Sequence, residues 1–375
     1  MARVNYGLVS LPPECTQNIL MYFDNVTSIC SAILSHSSLY RAFHGARDLI
    51  LKSVLSNMIP LDLLPEACAV LRASKIHVWD QKTRDDNLDN FRRRLIPAEF
   101  SLQDAISMEE FHLSASFFTA DFTSMALSRH ILKDKTTTTN PNPVTANEWH
   151  RVLRSFYWWE WYTRSCRVIS NRFIRAEQSP RHLQMFSIWE KEQLASVGEY
   201  LFHKITKPFN EVAAHDIKWG SLASEVWDSL WPHTANGFWL QRLPFLQRLV
   251  SAETYDQGHN LMDSNWEMTS DTGCSSRSGV DAWVPAAHEP KFALLQTYTE
   301  EELKNVIGTP WAFESDNGPL EAWKWTHQEQ SYFFFVQCPK LRWLRRRGYV
   351  MWNYDRLKEW GLFDLQSDQF EDDMC

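Results

Sequence analysis

The sequence predicts a mainly α protein, with a small three-helix module at the N-terminus and a larger, tryptophan-rich helical domain behind it. Three observations predict it. Apolar residues return every three or four positions through most of the chain, the spacing that puts them on one face of a helix. The 375 residues are 44% apolar and 22% charged, a globular balance that excludes a disordered, collagenous or rod-like chain. All eighteen tryptophans lie at or after Trp79, seventeen of them from Trp149 onward, so a Trp-free head precedes a Trp-rich body. The expected division is 1–58 for the head and 59–375 for the body, a length comfortable for two domains.

In the head, Leu11-Pro12-Pro13-Glu14 sets prolines and a carboxylate at a helix start, where a missing N–H costs nothing. Ile19, Leu20 and Phe23 follow at helical spacing from Cys15 and Thr16, and Asp24-Asn25 breaks the helix. A second helix, from about Ser28, turns Ile29, Ile33 and Leu34 inward. A third carries Leu39, Tyr40 and Phe43 and stops at His44-Gly45. Ile50, Val54, Leu55 and Met58 make one more stripe. Three or four helices this short have a marginal core on their own.

This ordered set resembles an F-box, in particular the divergent F-box-like start of many proteins of filamentous fungi. The family opens with Leu-Pro-x-Glu and an Ile-Leu pair and closes with a short polar run before an aromatic; here these are Leu11 to Glu14, Ile19-Leu20, and the stretch from Leu34-Ser35 to Leu39-Tyr40 with Phe43. The resemblance implies docking onto the Skp-type adaptor of a cullin–RING ubiquitin ligase, with the body choosing a protein substrate. It implies Leu11, Pro12, Glu14, Ile19, Leu20, Phe23, Leu34, Leu39 and Tyr40 as the adaptor-binding residues. Many members carry basic residues and a Trp after a Val/Leu-Ser/Cys pair, where this chain has His36-Ser37-Ser38. That departure touches adaptor contact rather than the helical shape.

Past the head, Leu64, Ala67, Val70, Leu71 and Ser74 make a stripe, and the charged stretch Asp80 to Arg94 reads as a solvated loop or helix face. Phe111, Ala115, Phe118, Phe122, Met125 and Leu132 line one buried face, with Ser107-x-x-Glu110 resembling a capping box. Residues 133–147 read as a Thr/Asn/Pro linker. From Trp149 a stripe runs through Val152, Phe156, Trp159, Cys166, Ile169 and Phe173, with Trp158, Trp161 and Tyr162 lying off it. A helix apolar on every side is central to a core or covered by a partner, so Trp158 and Trp161 are the candidate partner-binding rings. Ser187-x-x-Glu190 is expected to cap a helix through Leu194, Val197, Leu201 and Ile205 that stops before Pro208. Residues 251–290 read as an irregular exposed insertion, and 332–336 and 348–352 as short strands or buried helix segments. Asn353 is expected to cap a last helix closed by Gly361, before an acidic tail, 364–375.

Chemistry leaves little mark. The balance of 38 basic against 46 acidic residues, net −8, argues against a nucleic-acid partner. Arg92-Arg93-Arg94 has acids beside it, and the cluster Arg342, Arg345, Arg346 and Arg347 around Trp343 reads as the charged edge of an amphipathic stretch. No run is long and apolar enough for a membrane helix, so no membrane partner is expected. Seven dispersed cysteines suit a reducing compartment, cytoplasm or nucleus, and no Cys/His cluster predicts a metal. No phosphate loop, nucleophile elbow or zinc-protease motif occurs, so no cofactor and no catalytic residue is assigned. Asp256-Gln257-Gly258-His259 is the least bland constellation. The expected function is a substrate receptor; an interaction protein with a degenerate F-box, or an enzyme with its site in residues 150–375, remain the alternatives.

Overall fold

The computed structural model describes residues 11–77, 79–128, 142–167, 183–218, 241–264, 294–328 and 344–364. The regular elements among them are all helical, with no strand. The chain forms two compact units, Met1–Ala115 and Ser116–Cys375, so the division falls well beyond the expected boundary at 58.

The first unit opens with α1 (Pro13–Met21), α2 (Val26–Ser35), α3 (Ser37–Gly45) and α4 (Arg47–Met58). Pro13 and Glu14 start α1, and the Asn25 side chain caps α2 by accepting from Ser28 N–H at 2.7 Å. Leu20, Val26, Ile29, Ile33, Leu39 and Phe43 fill the space between these helices with Ile50, Leu51, Val54 and Leu55 of α4. Leu34 was expected inward with Ile33, yet it is exposed. One residue is about 100° of helix turn, and the Val26, Ile29, Ile33 stripe already fills the inward side.

Then follow α5 (Leu64–Ser74), α6 (Gln81–Arg92) and α7 (Leu102–Leu127), whose residues from Ser116 onward, Phe122 among them, belong to the second unit. Helix α5 is buried along almost its whole length, and Asp80 caps α6 through Thr83 N–H at 2.7 Å, so the charged stretch is a helix. The cap of α7 is a reciprocal pair between Ser101 and Asp104, at 3.1 and 3.2 Å, and Ser107 and Glu110 sit inside the helix instead of starting it. What ties the head to later sequence is Glu109. Its carboxylate accepts from Val26 N–H at 2.8 Å, Thr27 N–H at 3.1 Å and Thr27 Oγ1–H at 2.6 Å, closing the N-terminus of α2 from a residue 82 positions away. A module cut at residue 58 loses that cap.

The second unit holds α8 (Ala146–Arg167), α9 (Ile188–Lys218), α10 (Leu243–Val250), α11 (Tyr255–Asp263), α12 (Glu300–Ile307), α13 (Gly318–His327) and α14 (Tyr354–Glu359). Helices α8 and α9 pack together at its centre, and residues 151–163 of α8 are buried on every side. Thr145 and Glu148 cap α8 reciprocally, and Ser187 donates to Glu190 at the start of α9, as the Ser-x-x-Glu spacing suggested.

Helix α9 does not stop at Pro208 but runs through it. The proline removes one backbone hydrogen bond, and burial of Phe209, Val212 and Ala213 beyond it keeps the helix going. Nor is 251–290 irregular from its start: α11, capped by Thr254 through Gln257 N–H, occupies Tyr255–Asp263. Residues 348–352 form a turn rather than a strand. There Gly348 takes φ 59°, and a Cβ would stand 2.8 Å from Phe122 Cζ. Gly318 is as constrained, since a Cβ there would overlap the Tyr354 backbone N and the Trp352 carbonyl oxygen. Asn353 precedes α14, which Gly361 follows at φ 70°, but the side chain that accepts from Tyr354 N–H is Asp316. The run 332–336, Arg342, Trp343, residues 133–141 of the linker, residues 265–290 and the tail beyond Asp364 lie outside the described residues.

Candidate functional site

The nine residues implied for adaptor docking separate by burial. Leu20 and Leu39 are core, Ile19 and Phe23 are half-buried, and Pro12 and Glu14 are exposed. Leu11, Leu34 and Tyr40 stand 41%, 85% and 52% exposed, large apolar side chains left outside a small core. Tyr22 and Leu49 are exposed as well, and no periodicity in the sequence singled them out.

Hydrogen bonds between helices hold this surface in place. Gln17 Nε2–H donates to Ala42 O at 3.1 Å and joins α1 to α3. From α4, Ser53 Oγ–H donates to Met21 O at 3.0 Å, and Asn57 Nδ2–H to Met21 O at 2.8 Å and Phe23 O at 3.0 Å. The last carbonyl of α1, that of Met21, is thus satisfied by side chains, and the turn carrying Tyr22 and Phe23 is pinned.

No protein-family model, curated protein or solved structure matches this chain. Its function is therefore argued from its own residues.

In the body the expectation for Trp158 and Trp161 is corrected: both rings are 0% exposed. Trp158 packs against Phe186 with ring centroids 4.8 Å apart, and the Arg154 guanidinium lies 6.0 Å from its ring centroid. The side of α8 that its own stripe leaves over is covered by other segments of the same unit. The sequence could not distinguish a covering segment from a covering partner.

The body's buried carboxylates act as stitches between distant segments. Glu160 accepts from Leu243 N–H at 2.9 Å, closing the start of α10. Glu190 accepts from Trp311 N–H at 2.9 Å and Ala312 N–H at 3.1 Å. Glu148 holds Arg356 through two bonds of 2.8 Å. Burial pushes the Glu148 carboxyl up, but Arg356 and the Thr145 and Asn353 amides outweigh it and hold the group below the usual carboxylate range. Arg345 is not on a charged edge: it pairs with Glu192, Nε to Oε1 at 2.5 Å and Nη2 to Oε2 at 3.0 Å, with both side chains 0% exposed. Asp256 to His259 lie within α11, where a Cβ on Gly258 would touch Val212 at 3.3 Å, so the glycine serves helix packing. Among the described residues no group of three or more His, Cys, Asp or Glu is placed to hold a metal, and no helix is long and apolar enough to cross a membrane.

Each unit also holds a histidine that must stay neutral. Burial pushes His112 down to about 4, and burial chiefly, with Arg345 nearby, pushes His327 down to about 4. Both folded values lie below the ordinary one near 6.5, so the stability they carry is complete above that pH and drains as pH falls towards 4. Lowering pH from 7 to 4.5 is expected to cost a few kcal/mol in urea unfolding, since a tenfold difference in proton affinity between folded and unfolded chain is worth about 1.4 kcal/mol. His327→Gln should flatten that dependence; an unchanged urea midpoint in the wild type refutes the assignment.

Proposed function

We propose that the N-terminal helices dock onto a Skp-type adaptor of a cullin–RING ubiquitin ligase, and that the body holds a protein target beside the ubiquitin-loading machinery. Such a receptor makes no bond itself; it acts by raising the effective concentration of its target. The observation that carries the reading is the set Leu11, Leu34 and Tyr40, exposed apolar side chains standing in the ordered pattern that resembles an F-box. An exposed apolar group gains by burial against a partner, at about 25 cal/mol per Å² removed from water.

The full-length chain is the material for the test, because Glu109 is part of what holds α2. Full-length protein is expected to bind a purified Skp-type adaptor in calorimetry. Leu34→Glu, and separately the Leu11→Ala/Pro12→Ala pair, should weaken binding at least tenfold. The melting temperature should barely move, since these side chains are largely in water already. Absence of binding by the wild-type protein rejects the ligase reading and leaves an interaction protein with a degenerate F-box.

A further inference from the structure

A single residue, His36, links α2 to α3, with extended backbone at φ −157° and ψ 140°. The start of α3 carries backbone N–H groups that lack helical partners, and the side chain meeting one of them is an imidazole. Ser38 N–H donates to His36 Nδ1 at 3.1 Å, and Ser38 Oγ lies 2.9 Å from the same nitrogen. A backbone N–H can only donate, so Nδ1 is the bare nitrogen of a neutral ring. The ring is exposed, and protons from solvent reach it. We propose that His36 is a pH-sensitive cap. A second proton on the ring turns Nδ1 from acceptor into donor and releases Ser38 N–H; the charge it adds is unfavourable at the start of α3 and favourable at the end of α2, so the lost cap carries the effect on α3. The regulatory meaning rests on the docking reading, because α3 carries Leu39 and Tyr40: acid would loosen the start of the helix that presents them.

The neighbouring charges do not mimic this effect. Helices α2 and α3 contain no acid; the acids near them are Glu14 of α1, Asp48 of α4, paired with Arg47 at 2.9 Å, and Asp24 and Glu109, both at the start of α2, the opposite end of that helix from His36. The other cations on these helices are Arg41, whose Nε–H donates to Ser37 O at 3.4 Å, and Lys52. The other histidine of α3, His44, sits in its last turn, where a positive charge is favourable, so any effect it has is of the opposite sign.

Hydrogen exchange of the full-length protein at pH 8 and pH 5, corrected for intrinsic rates, separates the two histidines when wild type is compared with His36→Asn and His36→Ala. Asparagine caps a helix without titrating, and alanine does not cap it. Protection of the amides of residues 38–41 is expected to fall about fivefold more in the wild type than in His36→Asn on acidification, the weight of one such cap. His36→Ala should be poorly protected at both pH values. Equal pH dependence in wild type and His36→Asn, or no loss in the wild type, overturns the proposal. Adaptor affinity at pH 8, measured on the same samples, judges the docking reading separately: no binding there defeats docking, while the exchange result still decides the cap.

Discussion

Truncating Trp158 or Trp161 to alanine is expected to cost the body about 3–5 kcal/mol of stability, and to leave adaptor affinity unchanged. Both rings are fully buried in a helix buried all round, so each truncation removes a large apolar surface and opens a cavity that neighbours fill only in part. At position 158 an alanine reaches neither the Phe186 ring, whose centroid is 4.8 Å from that of the tryptophan, nor the Arg154 guanidinium. Trp158→Phe should cost clearly less than Trp158→Ala: it keeps an aromatic ring, and the buried Nε1–H that it removes has no acceptor among the described residues. Urea unfolding followed by far-UV dichroism measures the loss, and calorimetry against the adaptor measures the affinity. If either alanine variant keeps its stability while losing a co-purifying protein, the ring belongs to an interface after all.

The helical class was legible because α1 to α4, α7 from Phe111 onward and α9 each show apolar spacing of three to four residues within a single stretch of chain. The closing Gly361 was equally local. What failed to show were facts that need two distant pieces of sequence at once. The head reads as ending near Met58 because its stripes end there, and nothing local in Glu109 announces that its carboxylate closes α2. The four-arginine cluster reads as a charged edge because Glu192 stands 153 positions away from Arg345. Pro208 reads as a stop because the penalty for an interior proline is local, whereas the burial that overrides it is tertiary. The exposed apolar surface of the head, on which the docking proposal rests, was half legible. The ordered pattern named Leu34 and Tyr40, but periodicity placed Leu34 inside, one residue round the helix from where it stands.

Arg345→Met is expected to destabilise the body by about 3–5 kcal/mol, far more than any surface charge change, because it leaves the Glu192 carboxylate buried without its counter-ion. Burial pushes the Glu192 carboxyl up, and Arg345 is the main force opposing that push, with Glu199 adding repulsion from the same helix. The pair also carries architecture: Gln193 Nε2–H donates to Val350 O at 3.0 Å, and Arg151 Nη1–H to Met351 O at 2.6 Å. These three links fasten the turn over residues 345–352 to α9 and α8, so losing the strongest of them loosens a whole segment. An exposed pair in the same unit gives the contrast. Lys207 and Glu211 are 3.9 Å apart on the surface of α9, and Lys207→Ala should change stability by less than about 0.5 kcal/mol. The decisive comparison is Arg345→Met beside Arg345→Met/Glu192→Leu. If the cost of the single change comes from a stranded charge, the double change recovers much of it, because two apolar groups of similar size need no counter-ion. If the double variant is as unstable as the single one, the loss comes from Arg345's packing instead, and the ion pair contributes little of its own.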